Sequence, residues 1–131
     1  MDTNIWLYAF IEGCELEKSA GARNLIAASQ PVLSVQVINE VCVNLIQKAG
    51  FTEPQIRQLV SAFNEKYRVV DIDLDILATA SHLREQHVLP YWDSMTIACA
   101  IHAGVGILYS DDLPHDLVID QCLRIINPFR G

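Results

Sequence analysis

Leu89-Pro90-Tyr91-Trp92-Asp93-Ser94-Met95-Thr96-Ile97-Ala98-Cys99-Ala100 is the stretch from which the rest of the chain can be read. Proline is disfavoured inside a helix and common just before one. Good helix formers and apolar residues follow Pro90 and run to Gly104, a natural stop. The spacing therefore predicts a helix with Asp93 in its first turn. There the helix macrodipole favours a carboxylate by about 0.3–1 kcal/mol. Taken alone, Asp93 reads as an ordinary helix-end charge. It has company, however, because other acidic residues recur at element ends along the chain.

The composition narrows the field. With 131 residues, 51% of them hydrophobic, the chain is long enough for one domain, residues 1–131, with a real core. No apolar run reaches the roughly 18 residues that a membrane span needs. Met1 is followed at once by Asp2, with no basic segment of the kind that opens a signal peptide, so a cytoplasmic location is expected. Cys14, Cys42, Cys99 and Cys122 form no Cys-x-x-Cys pair and are expected to be reduced and mostly buried. His82, His87, His102 and His115 lack metal-binding spacing. A net charge of -7 argues against a general nucleic-acid binder, which carries a basic face. It leaves room for an enzyme that concentrates acid in a metal site and sets basic residues around it. Lys48 and Arg84 are candidate phosphate contacts, with solvated surface charge the plainer reading of each.

Taken in order, the chain opens with the polar Asp2-Thr3-Asn4 and turns apolar at Ile5-Trp6-Leu7. Asp2 has the character of a helix N-cap. Residues 15–29 predict a helix ended by Pro31, and a short strand or turn follows at 32–34. Ser34 can cap a helix that runs to about Ala49 and stops at Gly50. Glu40 lies in that helix, sharing a face with Gln36, Asn44 and Gln47, a stripe that reads as solvent-facing. Thr52-Glu53-Pro54-Gln55 has the form of a capping box and starts a helix to about Asn64. Residues 67–70 make a short strand. Asp71, Asp73 and Asp75 lack the rest of a calcium loop, and Asp73 is better read as the cap of a helix to about Gln86. Ile107-Leu108-Tyr109 reads as a buried strand with Ser110, Asp111 and Asp112 at its carboxyl end, and residues 123–126 form a last strand. Alternating strands and helices define an α/β class with a mostly parallel central sheet flanked by helices.

If Asp2, Glu40, Asp93 and Asp112 converge, they form an all-oxygen cluster. Hard oxygen donors suit Mg²⁺ or Mn²⁺, and clustered carboxylates repel one another unless a cation holds them. Such a site serves hydrolysis of phosphate esters. The chain resembles the PIN-domain nucleases, and within them the VapC-type toxin ribonucleases of bacterial toxin–antitoxin pairs. The resemblance rests on Asp2-Thr3-Asn4, Asn39-Glu40, Trp92-Asp93-Ser94 and Ser110-Asp111-Asp112-Leu113, closed by Ile125-Ile126-Asn127-Pro128-Phe129. It covers essentially the whole chain; each motif is short, and the ordered set carries the weight.

The resemblance implies a three-layer PIN-like fold and an Mg²⁺- or Mn²⁺-dependent endoribonuclease held inactive by a cognate antitoxin. It implies a homodimer as well. Asp2, Glu40, Asp93 and Asp112 match the family's acids, Asp111 is auxiliary, and Asn4 and Ser110 match polar positions that orient them. Relatives carry a few apolar residues, a central strand, before the first Asp; here Met1 alone stands there. Two other readings differ in class. A phosphatase with an aspartate nucleophile wants Asp-x-Asp, and position 4 is Asn4. A non-catalytic PIN-like binding scaffold would not need intact acids at every expected position.

Overall fold

The structure is a computed structural model, and it describes residues 1, 3–10, 16–29, 31–110, 113 and 115–129. Six helices and five short strands follow one another: α1 (Thr3–Phe10), α2 (Leu16–Ala28), β1 (Val32–Ser34), α3 (Val35–Ala49), α4 (Glu53–Lys66), β2 (Arg68–Val70), α5 (Leu74–Gln86), α6 (Tyr91–His102), β3 (Ile107–Tyr109), β4 (Val118–Ile119) and β5 (Leu123–Ile126). The N-cap signals at Ser34, Thr52 and Asp73 are realised, whereas Asp2 lies outside the described residues. The Ser34 hydroxyl accepts from the Val37 N–H, and Gly50 ends α3 in the left-handed region at φ 67°. Thr52 and Gln55 complete a reciprocal capping box, and the Asp73 carboxylate accepts from the Ile76 N–H. Each such cap contributes about 0.5–2 kcal/mol, because it satisfies a backbone N–H that has no partner inside its helix.

The strands form two ladders among the described residues. β1 and β2 pair in parallel, with Val32 opposite Arg68 and Ser34 opposite Val70. β3 and β5 also pair in parallel, and β4 closes the second ladder antiparallel to β5. The expected parallel character is thus present, but the sheet lies in two parts. Between them is a cavity of about 140 Å³ lined by Met1, Leu33, Val70, Cys99, Leu108 and Tyr109, among others. Met1 stands at this cavity, and its ammonium donates to the Val32 carbonyl at 3.4 Å.

The opening segment after Asp2 is helical, and its Ile5, Trp6 and Leu7 bury together in the core that α3 and α4 build. The β4 strand follows no sequence signal. Its turn to β5 uses Asp120 and Gln121 at φ 50° and 59°, a left-handed pair made without glycine.

Two apolar clusters fill the interior. One joins the amino terminus, α3, α4 and Leu33; the other joins α5, α6 and the second ladder. α6 is the centre of the second. Ser94, Met95, Ile97, Ala98, Cys99 and Ala100 are all buried along it, so this helix lies inside the molecule instead of showing one face to water. Ile97→Ala is expected to lower stability by about 2–5 kcal/mol, since it leaves a cavity where no neighbour can collapse freely. Leu77→Ala, on the exposed side of α5, should stay within about 0.5 kcal/mol. Urea denaturation of the two variants checks the contrast.

Candidate active site

Glu40 shows why a helical stripe is a poor guide to burial. α1 packs against α3 and brings Thr3 over the Glu40 side chain. The Thr3 hydroxyl donates to Glu40 Oε2 at 2.6 Å, and Gln36 Nε2 donates to Glu40 Oε1 at 3.1 Å. Asn44 Nδ2 donates to the Glu40 backbone carbonyl at 2.8 Å. The solvent-facing reading of this stripe is therefore corrected at Glu40, Gln36 and Asn44, all half-buried, and holds for the exposed Gln47. Two neutral donors fix the carboxylate in place. An ionised carboxylate offers about four acceptor positions, so both oxygens keep capacity for a further partner.

Asp93 sits in the first turn of α6, as its spacing predicts, and is half-buried. The residue after it locks that turn. Ser94 is wholly buried; its hydroxyl accepts from Arg84 Nη1 at 2.7 Å and donates to the Tyr91 carbonyl. The Arg84 guanidinium also lies over the Tyr91 ring, 4.3 Å from its centroid. Arg84, a candidate phosphate contact in the sequence, thus braces α5 against α6. Lys48 is an exposed residue in the last turn of α3.

Ser110 follows β3 and is fully buried. Its N–H donates to the Ile126 carbonyl at 3.0 Å, and its hydroxyl accepts from the Leu113 N–H at 3.3 Å. The serine thereby ties β5 to the start of the segment that carries Asp111 and Asp112. Asp2, Asp111 and Asp112 lie outside the described residues, as does the side chain of Asn4; the Asn4 backbone belongs to α1. Among the described residues no group of three or more His, Cys, Asp or Glu side chains could hold a metal ion. The structure thus brings Thr3 and Glu40 into contact, sets Asp93 on a buried helix packed against β1 and β3, and buries Ser110.

The Cys42 and Cys99 thiols are poor nucleophiles. Burial raises the Cys99 pKa; a hydrogen bond with Ser34 opposes that, and the Asp73 charge adds to it. Burial and the Glu53 charge raise that of Cys42, against a hydrogen bond to its own backbone. Both therefore stay protonated at neutral pH. Cys122 is exposed, which corrects the expectation of buried thiols at that position, and Cys14 lies outside the described residues. Sequence reasoning missed Thr3 and Gln36 as the residues that hold Glu40. The Gln36 to Glu40 spacing of four was visible, whereas the Thr3 contact depends on how α1 docks.

The fold and these side chains define an α/β domain with carboxylate-bearing helices arranged around one parallel and one mixed strand ladder. The PIN domain family model matches residues 1–116, and the chain belongs to that family. No curated protein matches it in sequence. Solved structures that share the fold include two with toxin components. A toxin–antitoxin complex from Klebsiella pneumoniae contains a chain with a TM-score of 0.73 and 21% identity, the match covering 98% of this chain and 95% of that one. VapC20 of Mycobacterium tuberculosis, a toxin that cleaves the sarcin–ricin loop, gives a TM-score of 0.66 at 20% identity, covering 81% of this chain and 83% of its own.

Thr3→Val keeps the shape and removes the donor to Glu40. It is expected to lower stability by about 1.5–3 kcal/mol, the range for a hydrogen bond to a charged group, while Thr3→Ser keeps most of it. Chemical denaturation at neutral pH checks both.

Proposed function

We propose that the chain is a single-domain, Mg²⁺- or Mn²⁺-dependent endoribonuclease, the toxin of a type II toxin–antitoxin pair that acts in the cytoplasm. The observation that carries this reading is the Thr3–Glu40 hydrogen bond, which joins the first and second acidic motifs across 37 residues in a chain of the PIN family. Membership supports nuclease chemistry, and the two solved relatives support the toxin role and a protein antitoxin as partner.

Asp2, Glu40, Asp93 and Asp112 would hold the cation. The donor chemistry fits: Glu40 is held by neutral groups that leave its oxygens able to accept more, and every proposed donor is a hard oxygen. When bound, the cation lowers the pKa of water and stabilises charge on the phosphate. The chain's own residues hold this arrangement in place. Thr3 and Gln36 orient Glu40. Arg84 and Ser94 fix the first turn of α6 and with it Asp93. Ser110 anchors the segment of Asp112 to β5, leaving Asp111 beside it in an auxiliary role, and Asn4 stands in the same opening motif as Asp2. In the hydrolysis the oxygen of water bonds to phosphorus as the bond to the leaving ribose oxygen breaks. A homodimer is part of the proposal. Two-fold dimers are the commonest oligomers, which supports that part.

Two carboxylates about 4–6 Å apart repel by roughly 3–4 kcal/mol at an effective dielectric near 20. The helix dipole returns only about 0.3–1 kcal/mol to Asp93. Repulsion therefore wins without a cation. RNA cleavage by the purified protein is expected to require Mg²⁺ or Mn²⁺ and to stop in EDTA. Asp93→Asn should abolish cleavage and yet melt higher than the parent in EDTA. In excess Mg²⁺ that gap should shrink or reverse, because a ligand at about 100 times its Kd stabilises the protein that binds it by about 2.7 kcal/mol. Undiminished cleavage in EDTA, or an Asp93→Asn protein that cleaves normally, would refute the mechanism.

A further inference from the structure

Beside Asp93 the surface changes character. Tyr91 and Trp92 open α6, and they are 51% and 55% exposed. Val88, just before them, is fully exposed. The other tryptophan, Trp6, is 1% exposed and sits in the core between Phe63 and Tyr67. The exposed aromatic pair is held in a defined geometry. The Tyr91 and Trp92 rings meet edge to face at 5.2 Å, and the Arg84 guanidinium covers Tyr91 at 4.3 Å from the ring centroid. Arg84 is itself tied to the buried Ser94 hydroxyl, so the platform is anchored to the core of α6.

We infer that Trp92, buttressed by Tyr91 and Arg84, is a stacking platform for an unpaired nucleobase next to the bond that is cut. This deepens the proposed ribonuclease reading and rests on it. The charge of the chain selects this occupant. At a net charge of -7 the protein repels a polyanion as a whole, so phosphate contacts alone supply little affinity. Base–aromatic stacking draws on no net charge, tolerates any base and is worth about a 5- to 150-fold change in affinity per base. A platform one residue from Asp93 would hold the strand where the carboxylates act. Bases in a duplex already stack on one another, so the platform selects single strands or loops.

The test uses the full chain with a mixed-sequence single-stranded oligoribonucleotide and a duplex of the same sequence. Binding is followed in EDTA by the anisotropy of end-labelled oligonucleotides, with tryptophan emission as a second readout for the wild type, and cleavage in Mg²⁺. The single strand should quench the emission of the wild type more than the duplex does. Trp92→Ala should weaken single-strand binding and raise KM by about 5- to 150-fold, with kcat and the salt dependence of binding little changed. Trp92→Phe should recover most of the loss. Because Trp92 is exposed, both variants should melt near the wild type, which separates lost stacking from lost fold. A Trp92→Ala protein with normal KM overturns the inference while leaving the ribonuclease reading intact. Loss of antitoxin binding by Trp92→Ala at normal RNA affinity also overturns it and assigns the surface to the antitoxin. A wild type that cleaves no RNA with either cation refutes the ribonuclease reading itself.

Discussion

The burial of α6 is the constraint on which the rest of the structure depends. A helix that is covered on most of its circumference needs partners on several sides. Here α5 packs along it, β1 and β3 meet it, and both strand ladders are placed by that contact. Such a helix can expose polar chemistry only at its ends. Its interior carries Met95, Ile97, Ala98 and Ala100, while Tyr91, Trp92 and Asp93 gather in the first turn. The one hydroxyl drawn inside there, that of Ser94, is matched by a donor and an acceptor, so its burial leaves no unpaired polar atom to penalise the fold.

The same logic explains which parts of the chain were legible as sequence. Ser34, Thr52 and Asp73 were readable as caps because a cap is a local bargain, settled within three or four residues. Asp93 in the first turn of α6 was readable for the same reason. Glu40 was not. A helical wheel knows the spacing of Gln36, Glu40, Asn44 and Gln47 but nothing of the helix that docks on them. Once α1 lies across α3, the polar stripe becomes a half-buried seam, and its central carboxylate gains a threonine from the other end of the first two motifs. The ordered set of short motifs, not periodicity, marked Glu40 as one of the candidate acids.

Strand placement was harder to read for a different reason. The three-residue strands β1, β2 and β3 are too short to show alternation, and only their short apolar runs between helices located them. For β4 the turn signal was missing, because Asp120 and Gln121 adopt left-handed backbone where glycine or asparagine usually announces it. The division of the sheet into two ladders, with Met1 at the cavity between them, is a tertiary outcome.

On the proposed reading, the site answers two opposing demands. Carboxylates that are to hold a cation must stand close together, yet in its absence their repulsion pushes the surrounding elements apart. Glu40 is stabilised by neutral donors, each hydrogen bond to a charged group contributing about 1.5–3 kcal/mol, and these donors add no charge that would compete with a cation. An arginine in their place would satisfy the carboxylate more fully and would occupy the very lone pairs that the cation needs. The arginine that is close to the first turn of α6 is engaged instead with a serine hydroxyl and an aromatic face. Thus Arg84 strengthens the scaffold under Asp93 through groups that a metal does not require. Placing neutral donors on the acid and the cationic one on the frame lets the fold hold its helices rigid while the negative charge of the site stays available.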